Sequence, residues 1–247
     1  MALSKRLEAA IHLLSPCELA GDIGCDHAYV SIALIERRLA KRVIASDINE
    51  GPLLIAKKNI REAGLENCIE AIQYDGIGFA ADAYMICGMG GNLMLKILKD
   101  ALPTVLQAGE LILQPQSELA MFRRELTKLG FEIVSEDMVF EDEKYYPMMK
   151  AVPAGKKNRT AALSELQCLY GPVLLSQNHP VLHQFLLQQR SYLQELYVNL
   201  NATLEKSKDA EKNPRSRQRL LELEEEIRLN ALALQQIEER RSVEDPI

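Results

Sequence analysis

The chain has no Cys-x-x-Cys pair. Its five cysteines, Cys17, Cys25, Cys68, Cys87 and Cys168, are odd in number and scattered. That argues against a disulfide framework or a zinc knuckle and for a reducing, cytoplasmic setting. Histidine is equally sparse. His12, His179 and His183 stand apart from one another and from His27, so no metal site is expected. No apolar run approaches the roughly 20 residues that span a bilayer, and no membrane association is expected. The N-terminal stretch does not read as a signal peptide, because Lys5, Arg6 and Glu8 interrupt it while Leu3, Leu7, Ile11 and Leu14 recur at helical spacing. Basic residues are not in excess either. The net charge of −6 argues weakly against a nucleic-acid partner, and local patches matter more than the total. What is present, an apolar fraction of 47% and a charged fraction of 26% over 247 residues, suits a soluble globular protein of one large domain or of a medium domain with an appendage.

Short strands and helices alternate through the first part of the chain. An amphipathic helix is expected over 3–14 and a strand over 17–22, then a helix to about Leu39. Arg42 to Asp47 and Ile69 to Asp75 each read as a strand running into an acid, with a helix over 53–63 between them that Gly64 closes. Further strands are expected at 84–87 and 110–114, followed by helices to about Leu102 and over 119–129. Strands at 131–139 and 145–152 have no helix between them, only the acidic loop Glu141-Asp142-Glu143. This predicts an α/β fold with a mostly parallel seven-stranded sheet wound on both faces, one strand of it antiparallel. Five βα units closed by a helix-free strand pair are the arrangement of class I S-adenosylmethionine-dependent methyltransferases, a Rossmann-like fold.

Pro153 to Asn158 reads as a linker, and the domain boundary is placed at 155/156. Residues 1–155 form the methyltransferase-like domain and 156–247 a helical one. In the second, Leu182, Leu186, Leu193, Leu196, Leu200 and Leu204, then Leu220, Leu223, Ile227, Leu234 and Ile237, follow three-and-four spacing. They predict a two-helix antiparallel coiled coil of roughly 40 Å, with Asn213-Pro214 opening the second helix.

The candidate chemistry lies at the strand ends. Cys17 to His27 gives a strand, a tight turn and a helix start. Gly24 permits a sharp turn and a close backbone approach to a ligand. Asp22, Asp47 and Asp75 close three successive strands. Asp47 follows Asp22 at roughly the 20-residue spacing of a ribose-binding acid, and Asp75 suits the exocyclic amine of an adenine. Each acid alone reads as a cap or a loop end, but together they predict a bound adenosine. The turn lacks the triple-glycine dinucleotide fingerprint, and Asp26 would repel a pyrophosphate. S-adenosylmethionine, with a sulfonium and an amino group, fits the acids better than NAD does.

The segments Asp22-Ile23-Gly24-Cys25-Asp26-His27-Ala28-Tyr29, Ser46-Asp47-Ile48-Asn49-Glu50-Gly51-Pro52-Leu53, Tyr74-Asp75-Gly76, Ile86-Cys87-Gly88-Met89-Gly90-Gly91 and Leu113-Gln114-Pro115-Gln116 occur in that order. Together with the helical tail they resemble the bacterial tRNA (adenine-22-N1)-methyltransferase family. The resemblance implies S-adenosylmethionine as donor and N1 of a tRNA adenine in the D-arm region as acceptor. It adds Cys25, Ile48, Gly76 and Gly88 to the donor-binding residues. Cys25 stands where the family more often carries Thr or Ser. The resemblance also places Met89, Gly90, Gly91, Gln114 and Pro115 around the acceptor base.

Adenine N1 has a usable lone pair, so the demands on the protein are alignment and exclusion of water. The product is cationic, and Asp26, ahead of His27, is the candidate to stabilise it. Lys206, Lys208, Lys212 and Arg215, with Arg217 and Arg219, form a basic cluster at the expected hairpin tip for tRNA phosphates. Arg123, Arg124, Lys5 and Arg6 are secondary candidates. The alternatives are a methyltransferase acting on another RNA or a small molecule, an NAD-dependent oxidoreductase, and a non-catalytic coiled-coil interaction module. A monomer or weak homo-oligomer is expected.

Overall fold

The computed structural model describes residues 3–155, 162–206 and 214–244. Two compact units divide the chain, Met1–Val173 and Leu174–Ile247.

The first unit runs α1 (Lys5–His12), β1 (Cys17–Ile23), α2 (Tyr29–Glu36), β2 (Ala40–Asp47), α3 (Glu50–Glu62), β3 (Ile69–Gln73), β4 (Ala83–Cys87), α4 (Gly91–Asp100), α5 (Leu102–Val105), β5 (Glu110–Gln114), α6 (Leu119–Lys128), β6 (Phe131–Glu141), β7 (Lys144–Pro153) and α7 (Glu165–Tyr170). The seven strands form one sheet in the order β3-β2-β1-β4-β5-β7-β6. Strands β1 to β5 pair in parallel, and β7 is antiparallel to both β5 and β6. This is the class I methyltransferase arrangement. The strand order reverses between β1 and β4, and such a switch point opens a crevice at the C-terminal ends of the strands.

Strand alternation distributes the core over both faces. Met85 and Ile112 point toward α1, α2 and α3, where Ile11, Leu34 and Leu53 are buried. Their neighbours Tyr84, Ile86, Leu111 and Leu113 point the other way, into a cluster with Met94, Leu98, Phe122 and Leu126 from α4 and α6. The helix expected to run to Leu102 is interrupted at Ala101. Pro103 cannot supply an N–H to a continuing helix, and it sits instead in the first turn of α5.

Segment α7 carries a capping box, with Ser164 and Gln167 each bonding the other's backbone N–H. A buried ion pair lies beside it. Arg123 Nε donates to Glu136 Oε1 at 2.9 Å, and Arg123 Nη1 donates to the carbonyl oxygens of Cys168 and Leu169. Glu136 Oε2 accepts from the N–H of Val173. Arg123 is 1% exposed, which corrects its assignment as a phosphate contact. It is an internal brace, and no phosphate can reach it.

The second unit contains two long helices, α9 (Pro180–Lys206) and α10 (Pro214–Glu244), preceded by the short α8 (Pro172–Ser176) at which the units divide. The long helices run antiparallel. Asn230 Nδ2 donates to the Leu186 carbonyl and to Gln189 Oε1, and Tyr197 Oη donates to Glu224 Oε1. Leu182, Leu186, Leu193, Leu223, Leu234 and Ile237 are buried, and Leu229, Asn230 and Ala233 join them. At 1.5 Å per residue α9 is about 40 Å long.

Candidate active site

Four strand ends meet around a cavity of about 520 Å³. That volume falls in the range of small-molecule sites. It opens where β1, β2, β3 and β4 deliver Asp22, Asp47, Asp75 and Cys87.

The turn after β1 is held in an unusual backbone. Gly24, Asp26 and Ala28 all have left-handed φ, at 72°, 50° and 59°. For Asp26 and Ala28 this costs about 1–2 kcal/mol each, and such strain persists only where neighbours over-determine it. Here they do. Gly24 N and Cys25 N both donate to the Ser46 carbonyl, at 2.8 and 3.0 Å, and Ala28 N donates to the Cys25 carbonyl at 2.8 Å. Asp26 N donates to Asp47 Oδ2 at 3.2 Å, and Asn59 Nδ2 donates to the His27 carbonyl at 2.9 Å. A Cβ on Gly24 would overlap the end of the Met89 side chain. Only glycine suits both the φ and the contact.

The acids differ in environment. Asp22 is almost wholly buried. Burial pushes its carboxyl up to about 6, against the Ser31 hydroxyl that donates to Oδ2 at 2.5 Å; the nearby Asp47 adds to the rise. Asp47 takes one backbone N–H on each oxygen, from Asp26 on Oδ2 and from Asn49 on Oδ1 at 2.8 Å. Each oxygen keeps a lone pair for a ligand hydroxyl. The Asp26 side chain is 69% exposed, and its Oδ1 lies 3.5 Å from His27 Nε2. The His27 ring meets the Tyr29 ring edge-on. Burial drives the thiols of Cys25 and Cys87 upward, Cys87 to about 12, so both are protonated and serve as small apolar wall groups.

On the other side, Gly88, at φ 80°, turns the chain out of β4. Its N–H donates to both the carbonyl and the side-chain oxygen of Gln114. Exposed Ile48, Tyr74 and Leu93 add apolar wall. Four carboxylates beside apolar surface, with a glycine cradle, fit an adenosine joined to a cationic chain.

A model of the tRNA (adenine(22)-N(1))-methyltransferase family matches residues 20–230. The chain belongs to this family. It is 31% identical over 237 residues to the tRNA (adenine(22)-N(1))-methyltransferase of Bacillus subtilis (strain 168), spanning 93% of this chain and 95% of the relative. A Streptococcus pneumoniae structure in complex with S-adenosyl-L-methionine has 29% identity and a TM-score of 0.77, over 94% of this chain and 100% of that one. The structure of M. capricolum TrmK in complex with S-adenosyl-homocysteine has 26% identity and a TM-score of 0.74, over 96% and 100%.

Of the residues that the sequence nominates for donor binding, Asp22, Gly24, Cys25, Asp47, Ile48, Asp75, Gly76 and Gly88 all line the cavity, as do Asp26, His27 and Met89. Others do not. Gly91 and Pro115 are buried, and Gln114 is wholly inaccessible. The Gln114 carboxamide faces inward to hold Gly88, while the exposed neighbour Gln116 lines the cavity. Gly90 caps α4 from outside the cavity wall. Arg215 is exposed in the first turn of α10. Lys208, Lys212 and the Lys206 side chain lie outside the described residues. Arg6, Tyr29, Asn49 and Tyr74 line the cavity too. Tyr29, Asn49 and Tyr74 fall in or beside the acid motifs, which is the signal that marks them in the sequence; Arg6 comes from α1 and carries no such mark. Among the described residues, no group of three His, Cys, Asp or Glu side chains is placed to hold a metal, and no helix is long and apolar enough to cross a membrane.

Proposed function

We propose that this chain transfers the methyl group of S-adenosylmethionine to N1 of adenine 22 in tRNA. The carrying observation is the meeting of Asp22, Asp47 and Asp75 with the Gly24 cradle on one cavity, in a chain of the tRNA (adenine(22)-N(1))-methyltransferase family. S-adenosylmethionine supplies an electrophilic methyl group on a sulfonium, together with an adenosine and an amino acid that the pocket can grip.

The division of labour follows from the environments. Asp47 accepts from the ribose hydroxyls, its orientation fixed by two backbone N–H groups. Asp75 accepts from the adenine amine, with Ile48 and Tyr74 as apolar flanks. Asp22, deep in the cavity, balances the cationic end. Gly24 lets the backbone approach the ligand closely. Gly88 and Met89 bound the space in which the acceptor base lies.

Adenine N1 carries its own lone pair, so no residue must deprotonate it first. The chain has to align the base and exclude water. The exposed carboxylate of Asp26 stabilises the positive charge that develops on the base and receives the N6 proton, and His27, 3.5 Å away, orients it. An adenine stacked in tRNA must leave the stack to reach this cavity. The basic residues at the start of α10, Arg215 and Arg217, offer phosphate contacts, while Arg219 is paired with Glu222 and Glu226. A cytoplasmic location is the reading that five free cysteines and a tRNA substrate support.

The test is to incubate the protein with methyl-labelled S-adenosylmethionine and unmodified bulk tRNA, digest, and identify the labelled nucleoside. N1-methyladenosine is the expected product. Label confined to another nucleoside would refute the acceptor assignment.

A further inference from the structure

The cavity has two chemically different ends. Its lining runs along the sheet edge from Tyr74 and Asp75 after β3, through the turns after β2 and β1, to the loop after β4. One residue extends it further. Gln116 is the contribution of the loop after β5. The β3, β2 and β1 ends carry the acids. On the β4 and β5 side the wall is Cys87, Gly88, Met89, Leu93 and Ile97, and beside these Gln116 alone offers both a strong side-chain donor and a strong acceptor.

Gln116 is held in place. Its backbone N–H donates to the Met89 carbonyl at 2.9 Å, and the N–H of Gly91 donates to Ser117 Oγ at 3.3 Å. With the two bonds from the Gly88 N–H to Gln114, the loops after β4 and β5 are joined on both sides of Gln116. The end of its side chain lies 3.8 Å from the point that a Cβ on Gly88 would occupy. The residue is exposed, and its carboxamide has no partner among the described residues.

Donor adenosine held at the β2 and β3 ends leaves the β4–β5 end for the acceptor base. Adenine N1 must face the methyl group, so the protein cannot grip the base there. The N6/N7 edge remains. A carboxamide fits that edge with two bonds, its oxygen accepting from N6 and its NH2 donating to N7. A carboxylate does not fit, because both of its oxygens accept and N7 is itself an acceptor. We infer, on the methyl-transfer reading of the cavity, that Gln116 determines specificity for the acceptor adenine by reading its N6/N7 edge. N6 carries two hydrogens. Gln116 takes the one beside N7, and the one beside N1 stays available to Asp26. Guanine presents O6 in place of the amine, so the carboxamide oxygen would face another lone pair.

The test changes both sides of the contact. tRNA with adenine or 7-deazaadenine at position 22 is offered to the wild-type protein, Gln116→Leu and Gln116→Glu, and kcat/KM is compared. The analogue replaces N7 by C–H, and its altered N1 basicity is common to all three proteins and cancels in the cycle. Gln116→Leu should lower kcat/KM on adenine about 10- to 100-fold, the range of a bidentate base contact, with donor Kd by calorimetry within about twofold. The ratio of adenine to 7-deazaadenine kcat/KM should fall about 3- to 10-fold from wild type to Gln116→Leu, as for one lost hydrogen bond. Gln116→Glu keeps the N6 acceptor and repels N7, so its ratio should fall further. The same ratio in all three proteins would overturn the inference, because the side chain would then not meet N7. A donor Kd raised as much as kcat/KM is lowered would overturn it by assigning Gln116 to the donor. Wild-type protein that left adenine 22 unmethylated would remove the methyl-transfer reading itself, and the inference with it.

Discussion

The end of the Met89 side chain rests against the α-carbon of Gly24, closing the turn after β1 against the loop after β4. The two loops come from neighbouring parallel strands at the switch point of the sheet, and both residues line the cavity. Gly24→Ala meets two penalties, a left-handed φ and this overlap. The φ penalty alone is about 1–2 kcal/mol, so Tm should fall by several degrees, and donor affinity should fall with it. Adding Met89→Ala should recover the overlap part and leave the φ part. A Gly24→Ala protein with unchanged Tm and unchanged donor affinity would contradict the arrangement.

Asp47 joins the β1 turn to the start of α3 by accepting the N–H groups of Asp26 and Asn49. Asp47→Ala removes both bonds together with the proposed ribose acceptor. Donor Kd, measured by calorimetry, should rise about 10- to 100-fold, since bonds to a charged acceptor contribute about 1.5–3 kcal/mol. Unchanged affinity would exclude the ribose role.

Asp26 is exposed and accepts no backbone cap, so its charge is available to the acceptor base. Asp26→Asn should leave donor Kd within about twofold and lower kcat by about tenfold or more, in line with the 10²–10⁴-fold typical of acid–base groups. Single-turnover rates equal to wild type would remove Asp26 from the chemistry.

Asp22 should make donor binding depend on pH. Its folded value near 6 stands above the ordinary 3.8, mainly because of burial. Between those two values the folded protein holds a proton that the unfolded chain has lost. The carboxyl's contribution to stability is therefore full below about 4 and is lost as pH rises through 6. Donor binding has the opposite sign, because a cationic ligand selects the ionised form. Affinity should climb between pH 5 and 7 and level off above, with proton release on binding. Ser31→Ala, which removes the hydrogen bond that favours ionisation, should move the midpoint upward. Calorimetry in buffers of different ionisation enthalpy reads the proton count, and Asp22→Asn should abolish that component. The same pH profile in Asp22→Asn would assign the titration elsewhere.

The strand ends are the part of this protein most open to reading from sequence. An apolar run that stops in an acid marks Asp22 and Asp47 as strand-end groups without reference to any contact. The same reasoning locates the helix-free pair β6 and β7, because no helical spacing fits between Phe131 and Pro153. It fails where the answer depends on which way a side chain faces. Gln114 and Gln116 flank one proline, and only the fold shows that the first is buried as a brace and the second lines the cavity. Arg123 sits beside Arg124 as if on a basic surface, yet it is the largest fully buried side chain. Arg6 lies far from the acid motifs in sequence and reaches the cavity only because Glu141 and Tyr146 hold it there.

The buried pair Arg123–Glu136 gives a prediction of another kind. Removing one member strands a charge where water cannot reach, at a cost of about 3–5 kcal/mol. Arg123→Ala should shift urea unfolding to markedly lower concentration. A fully stable variant with a weaker salt dependence of tRNA binding would return Arg123 to the phosphate contacts.

The most direct test is a pair of tRNA transcripts, one with adenine 22 and one with guanine there, each incubated with S-adenosylmethionine and the protein. The methyl position is then mapped by mass spectrometry of digestion fragments. The account predicts one methyl group on N1 of adenine 22 in the first transcript and none in the second. Equal methylation of both, or a methyl group mapped to any other nucleotide, would contradict it.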